Sequence, residues 1–175
     1  MRARLALALA LMLPLAVAAQ TFGFGPSRPE RDSGPDAKVP LPQYPKPEDY
    51  LPFEVSAITP FAFYVDAKSI SVGQDGVVHY TLIARSADGA LNVSFEGMRC
   101  PDAKFRVYAF GGAGKTWAEI RDSKWTSIRN EPRNGQRAVL FNDYFCPPNG
   151  DIASADEGVR ALKNGGNPRS KIYGY

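Results

Sequence analysis

The sequence has few of the residues from which catalytic and metal sites are usually built. Its 175 residues include two cysteines and one histidine, His79. A zinc site built on His79 would need cysteines or carboxylates beside it, and the G-x-S-x-G string of many serine hydrolases does not occur. The acids lack the repeated D-x-D ladder of a calcium-binding loop. We therefore predict no metal and no cofactor, although a Ser–His–Asp triad assembled across space stays open.

Blocks of like charge are also missing. The formal net charge is +3, and the 21 Lys and Arg residues are scattered among 18 acids. Proteins that bind the phosphate backbone of a nucleic acid usually cluster their basic residues, so a nucleic-acid partner is disfavoured.

The first 19 residues have the features of a cleavable secretory signal peptide. Arg2 and Arg4 precede an apolar run that begins at Leu5, and small residues end the segment at Ala19. The apolar stretch is shorter than the roughly 20 residues that span a bilayer, and no later segment is long enough. No cysteine follows to carry a lipid. We expect cleavage near Ala19, export to the periplasm and no stable membrane insertion afterwards; losing two arginines lowers the formal net charge from +3 to +1.

Residues 20–52 are predicted to form a proline-rich flexible lead, because they hold eight of the fifteen prolines. Proline fixes φ and lacks a backbone donor, so regular helix or sheet is not expected there. Pro42 and Pro45 have the P-x-x-P spacing of a partner ligand, but we favour a spacer. Residues 53–175 have the composition and length of a single domain.

Hydrophobic alternation predicts an antiparallel sheet in that domain. Strand-like runs occur at residues 77–86, 91–96, 105–110 and 117–128. In the first run Val78 and Tyr80 share an apolar face, whereas His79 lies on the more polar face, where we expect it to meet solvent or form a hydrogen bond. A turn with Gly89 joins the first two runs.

The C-terminal third is predicted to supply helices that cover this sheet. Leu140 and Tyr144 have helical i, i+4 spacing, and Ser154 with Glu157 has the form of a capping box. The expected fold class is therefore α+β, a single antiparallel β-sheet domain covered by one or two C-terminal helices.

Cys100 and Cys146 form an even pair in a chain expected to meet an oxidising compartment. We predict one disulfide between them. A redox role is not indicated, because no C-x-x-C motif occurs.

The string from Gly111 to Thr116 resembles a nucleotide-binding P-loop, with Lys115 as the phosphate-binding lysine. Ala109 occupies the position where that motif requires its first glycine, and strand-like residues follow instead of a helix. We therefore interpret the string as a turn between strands and predict no nucleotide partner.

The remaining candidate site residues are acid–base groups and aromatic side chains. His79, Glu96 and Glu119 are weak acid–base candidates, although sequence gives no distances between them. Trp117 and Trp125 are eight residues apart, which on one continuous strand would put them on the same face. Together with Tyr108 they form a candidate binding surface, although burial in a core is the commoner use of such rings.

Three strings carry a resemblance to a known family: PKPEDYLPF, MRCPDAKFRVYAFG and FNDYFCPP. Between Tyr44 and Asp156 the chain resembles the cryptic neisserial protein-like family of exported, uncharacterised proteobacterial proteins. The resemblance implies an envelope location and supplies no catalytic residues.

We therefore expect a periplasmic protein that is a non-catalytic module binding an envelope protein or a cell-wall component. The alternative is a small hydrolase that acts on an envelope polymer through His79, Glu96 or Glu119.

Overall fold

The computed structural model describes residues 39–56, 58–129, 134–148 and 150–171, which all belong to one compact unit. The predicted signal peptide, residues 1–19, lies outside the described residues. The strands are β1 (Tyr50–Phe53), β2 (Phe61–Asp66), β3 (Ser71–Val72), β4 (Val77–Ser86), β5 (Leu91–Arg99), β6 (Lys104–Gly111), β7 (Trp117–Glu119) and β8 (Thr126–Ser127). The helices are α1 (Gly135–Val139), a π-helical segment (Leu140–Phe145) that continues it, α2 (Ala155–Lys163) and α3 (Pro168–Lys171).

The strands form one antiparallel sheet in the order β1-β2-β4-β5-β6-β7, with β3 paired to β4 and β8 paired to β6. The longest pairing joins β4 and β5 through the turn at Gly89, whose φ of 89° suits glycine. The predicted fold class is confirmed.

One face of the sheet packs against the C-terminal helices, as predicted. Val78 and Tyr80 on this face are fully buried, as are Leu140 and Phe145 of the helical layer. The buried core also includes Val65, Leu82, Met98, Ile152, Ala161 and Leu162. Apolar burial across this layer is the main favourable term for folding.

The cap of α2 follows the predicted pattern with one difference. The Ser154 side chain accepts a hydrogen bond from the backbone N–H of Glu157 at 3.3 Å. The Glu157 carboxylate accepts from the N–H of Ala153 at 2.8 Å, one residue before the position used in a capping box.

The predicted disulfide between Cys100 and Cys146 is present, with a Cα–Cα distance of 5.4 Å. Cys100 follows directly after β5, and Cys146 follows the π-helical segment. The bond therefore joins the sheet to the helical layer.

The second face of the sheet differs from the prediction, because its central residues are also buried. His79, Thr81 and Ile83 alternate with the core-facing residues of β4 and are 7%, 0% and 0% exposed. The expectation that His79 meets solvent is therefore wrong, because the rings of Phe95 and Tyr108 lie 6.1 and 5.6 Å from its own ring.

Part of that cover comes from residues 39–46, here called the strap. The strap has no regular secondary structure, yet Pro45 is buried in it, and a short 3-10 turn (Pro47–Asp49) then leads into β1. For residues 39–52 the structure therefore departs from the predicted flexible lead. Proline excludes these residues from a sheet interior, but it does not prevent packing on a sheet face or pairing at an edge such as β1.

The segment from Trp117 to Ile128 forms two short strands, β7 and β8. A turn at Arg121 and Asp122 separates β7 from β8, and Asp favours such turns because its side chain bonds to nearby backbone. Trp117 and Trp125 therefore do not lie on one continuous strand, the condition under which their spacing would have put them on the same face.

In the part of the chain that the structure describes, none of the helices combines the length and the hydropathy that a bilayer crossing requires.

Candidate functional site

A connected set of aromatic rings lies on the second face of the sheet, here called the aromatic face. Its members are Tyr44, His79, Phe95, Tyr108 and Trp117. Ring centroids are 5.4 Å apart between Tyr44 and Trp117, 6.3 Å between Trp117 and Phe95, and 5.7 Å between Phe95 and Tyr108. His79 lies 5.6 Å from Tyr108. These separations are typical of favourable aromatic contacts.

A bulge in β6 places Tyr108 in this set. Phe95 pairs with Ala109 and Glu96 pairs with Val107, so Tyr108 is the extra residue. The ring lies over Gly97, where a Cβ atom would stand 2.8 Å from the Tyr108 ring and hydroxyl. Only glycine at position 97 leaves room for the tyrosine in this orientation.

Beside the aromatic face, arginine side chains of β5 and β6 lie over rings. Arg106 is 5.4 Å from the centroid of Tyr108, and Arg99 is 4.6 Å from that of Trp125. Asp102 accepts two hydrogen bonds from Arg99, at 2.8 and 2.6 Å, which fixes the Arg99 guanidinium above the ring. Arg–aromatic pairs combine apolar area with charge that a ligand can use.

Of the three aromatic residues predicted to form a binding surface, Trp117, Trp125 and Tyr108, each is half-buried. Trp117 is covered most directly, because its Nε1–H donates to the Pro42 carbonyl at 2.9 Å and its ring meets Tyr44. Tyr108 and Trp125 each lie under an arginine instead.

His79 is held among rings without a hydrogen bond to its Nε2 atom. Phe95 and Tyr108 lie 6.1 and 5.6 Å away. Burial lowers the pKa of His79 below its ordinary value, and the charge of Asp75 offsets part of that effect. The side chain is therefore favoured in its neutral form.

Glu96 lies on the opposite, helix-covered face and is completely buried. It accepts hydrogen bonds from Tyr80 at 3.1 Å, from Ser94 at 2.6 Å and from Arg137 at 2.8 and 2.6 Å. Burial alone would lower the pKa of Arg137, but the attraction of Glu96 outweighs it and raises that pKa. The phenol of Tyr80 has its pKa raised well above the ordinary value, first by burial and then by the neighbouring Glu96 charge.

The three acid–base candidates do not converge on one point. Glu96 pairs with Tyr80 and His79 pairs with Gly97, so Glu96 and His79 project to opposite faces of the sheet. Glu119 is exposed at the end of β7. Glu96 is completely buried and bonded to Arg137, so it does not face a site that a substrate could reach.

No group of three or more His, Cys, Asp or Glu residues within the described ranges is arranged to hold a metal ion.

The glycine-rich string around Lys115 is a tight turn between β6 and β7. The N–H of Gly112 donates to Thr116 O at 2.8 Å, and the N–H of Lys115 donates to Gly112 O at 3.0 Å. Strand β7 follows, so the strand–helix context that a P-loop requires is not formed.

Sequence reasoning missed Arg99, Arg106 and Tyr44 as parts of this site. Arg106 and Tyr108 are two residues apart in a strand-like run, so their shared face could have been inferred from alternation. Tyr44 carried no comparable signal, because its contact with Trp117 joins positions far apart in the chain.

A model of the CNP1-like family matches residues 31–163, which is most of the chain and includes the span between Tyr44 and Asp156. Searches of curated proteins and of solved structures found no match.

Proposed function

We propose that this chain, which belongs to the CNP1-like family, is a non-catalytic binding module of the cell envelope. The observation that carries the proposal is the pairing of half-buried rings with arginines beside the aromatic face. Tyr108 lies under Arg106 and Trp125 lies under Arg99. We call these four residues the binding surface.

The composition of the binding surface supports recognition more than chemistry. Tyr, Trp and Arg are the residues that most often carry the energy of protein interfaces. Their rings also offer flat apolar area at low entropic cost, and a planar guanidinium stacks on such rings.

The rigidity of the binding surface supports the same reading. Gly97 seats Tyr108, and Asp102 holds Arg99 through two hydrogen bonds. Groups that are already fixed before binding lose less conformational entropy when a partner docks.

Export to the periplasm is part of the proposal and is supported by two features. The first is the signal-peptide pattern that ends at Ala19. The second is the disulfide between Cys100 and Cys146, since such bonds persist in oxidising compartments.

The test is a retention assay with purified full-length protein on isolated cell-wall sacculi and, separately, on immobilised envelope proteins. The double variant R106A/W125A should lose about tenfold or more in affinity for one of the two, because truncated hot-spot residues cost about 2 kcal/mol each. The matched control is R160A/K163A, which removes two exposed basic residues from α2. Equal retention of wild type and R106A/W125A on both supports would contradict the proposal.

A further inference from the structure

The strap occupies part of the aromatic face in the manner of a bound peptide. The Pro42 carbonyl accepts a hydrogen bond from Trp117 Nε1 at 2.9 Å, and the Tyr44 ring lies 5.4 Å from the Trp117 ring. The Tyr44 hydroxyl donates to Gly112 O at 3.5 Å, and Pro45 is buried.

The prolines of the strap favour an extended backbone even without contacts to the rest of the protein. Three prolines of the strap, and Pro47 directly after it, have φ fixed near the polyproline II value, and each also keeps the residue before it out of the helical region. The prolines are Pro40, Pro42, Pro45 and Pro47, and the residues before them are Val39, Leu41, Tyr44 and Lys46. Only Gln43 is free of both restrictions, so the strap has little entropy to lose when it docks.

The strap docks through a few groups and not through a strand ladder. Among the described residues, no backbone–backbone hydrogen bond joins the strap, residues 39–46, to a strand of the sheet. The strap is held by the hydrogen bond from the Trp117 indole N–H, by the contact of the Tyr44 ring with the Trp117 ring and by the burial of Pro45. A different chain with the same proline spacing could make each of these contacts.

The sheet forms a space beneath the Tyr44 ring, here called the seat. A Cβ atom at Gly111 would lie 2.8 Å from the Tyr44 hydroxyl and 2.8 Å from Val93 Cβ. Glycine at position 111 therefore opens the space that an aromatic ring of the docked segment fills. Trp117 forms the wall of the same seat and supplies its donor.

We propose that this seat, formed by Gly111, Gly112 and Trp117, binds an extended proline-rich polypeptide segment of a partner, and that the strap is its intramolecular competitor. This inference rests on the proposed function and names the partner class for one part of the same face. A tethered segment competes at an effective concentration on the order of millimolar, so the strap weakens the binding of any peptide in solution.

The test measures fluorescence anisotropy of a labelled peptide that copies residues 38–48, titrated with full-length protein. The variant Y44A weakens the strap in the protein and should bind the peptide about tenfold more tightly than wild type, because the competitor is impaired. The variant W117F keeps a ring but lacks the N–H donor, and in the Y44A background it should lose most of that gain. The matched control Y144F, also in the Y44A background, keeps a ring and loses a donor in the helical layer on the other face of the sheet, and should bind as Y44A alone does.

A peptide in which the four prolines are alanine should bind Y44A at least several-fold more weakly, since it loses its extended preference. The proposal is overturned if Y44A binds the native peptide no better than wild type, or if W117F leaves affinity unchanged. Near-UV circular dichroism of each variant verifies that the fold is retained.

The two proposals fail separately. If Y44A does not gain peptide affinity but R106A/W125A still loses its envelope partner, the proline-rich ligand is wrong and the binding module stands. If the peptide results are as expected but R106A/W125A retains its partner, the seat is a peptide site and the arginine-covered rings are not the binding surface.

Discussion

Glu96 and Arg137 form a two-point ion pair between β5 and α1, with Nη2–Oε1 at 2.6 Å and Nε–Oε2 at 2.8 Å. The Glu96 side chain is 0% exposed and that of Arg137 is 13% exposed. The pair joins the sheet to the helical layer, and the ring of Phe105 lies 4.2 Å below the guanidinium.

Removing Arg137 should destabilise the protein strongly, because it leaves the Glu96 carboxylate buried without its cation. We expect R137M to lower the free energy of unfolding by about 3 to 5 kcal/mol in urea denaturation. The double variant E96L/R137M should recover only part of that loss, since it removes both buried charges but leaves the Tyr80 and Ser94 hydroxyls without their acceptor.

The control for this prediction is R169M, which breaks the more exposed pair of Arg169 with Glu157. Pairs of that kind contribute about 1 kcal/mol or less. If R137M were no more destabilising than R169M, the buried pair would not be a main link between the layers.

Stability should depend on pH through His79. Burial lowers the pKa of His79 in the folded state, so between the folded and unfolded pKa values the unfolded chain binds one proton more. The free energy of unfolding is therefore not reduced by His79 above the ordinary pKa of 6.5, and it decreases as the pH falls below that value, because protonation favours the unfolded chain.

Urea midpoints measured from about pH 8 to about pH 5 should fall more steeply for wild type than for H79F. Phenylalanine suits a position between Phe95 and Tyr108 and does not titrate. Parallel pH curves for the two proteins would contradict the assignment.

The disulfide should contribute a large part of the stability. The loop between Cys100 and Cys146 has a sequence separation of 46. Chain entropy for such a loop gives a contribution of about 4 kcal/mol as an upper estimate. Urea denaturation of C100S/C146S should give a free energy of unfolding that is lower than that of wild type by nearly this amount. A reductant should lower the urea midpoint of wild type to that of the variant. A midpoint unchanged by both treatments would be inconsistent with this bond.

Adding one methyl group at Gly97 should displace the Tyr108 ring. A Cβ atom there would lie 2.8 Å from Tyr108 and 3.0 Å from Val77 Cγ1, so G97A should cost about 1 to 3 kcal/mol. The control is G114A, where the added Cβ atom would have Thr116 Oγ1 as its nearest neighbour, at 3.9 Å. Aromatic proton chemical shifts of Tyr108 should change in G97A only; unchanged shifts would mean that the ring does not depend on Gly97.

The parts of the fold that depend on local signals were predictable from the sequence. The alternation in β4, the turn at Gly89 and the cap at Ser154 each depend on residues within a few positions of one another. The cysteine pair was predictable for a different reason, since two cysteines in an exported chain allow one bond.

The candidate site was less predictable, because its contacts join residues that are far apart in the sequence and because β6 contains a bulge. Trp117 and Pro42 are 75 residues apart, and Arg137 and Glu96 are 41 apart. The bulge at Tyr108 shifts the alternation on which face assignments rest. The burial of His79 was not predictable either, because nothing near it in sequence indicates that the strap and Tyr108 help to cover that side of the sheet.

Photo-crosslinking in intact cells tests the central claim most directly. A photoreactive residue replaces Lys124, which is exposed and adjacent to Trp125, or Lys163, which is exposed on α2 in the helical layer. The binding-module account predicts a discrete adduct from position 124 that disappears when R106A is added, and none from position 163. Absence of an adduct at position 124, or equal adducts at both positions, would contradict it.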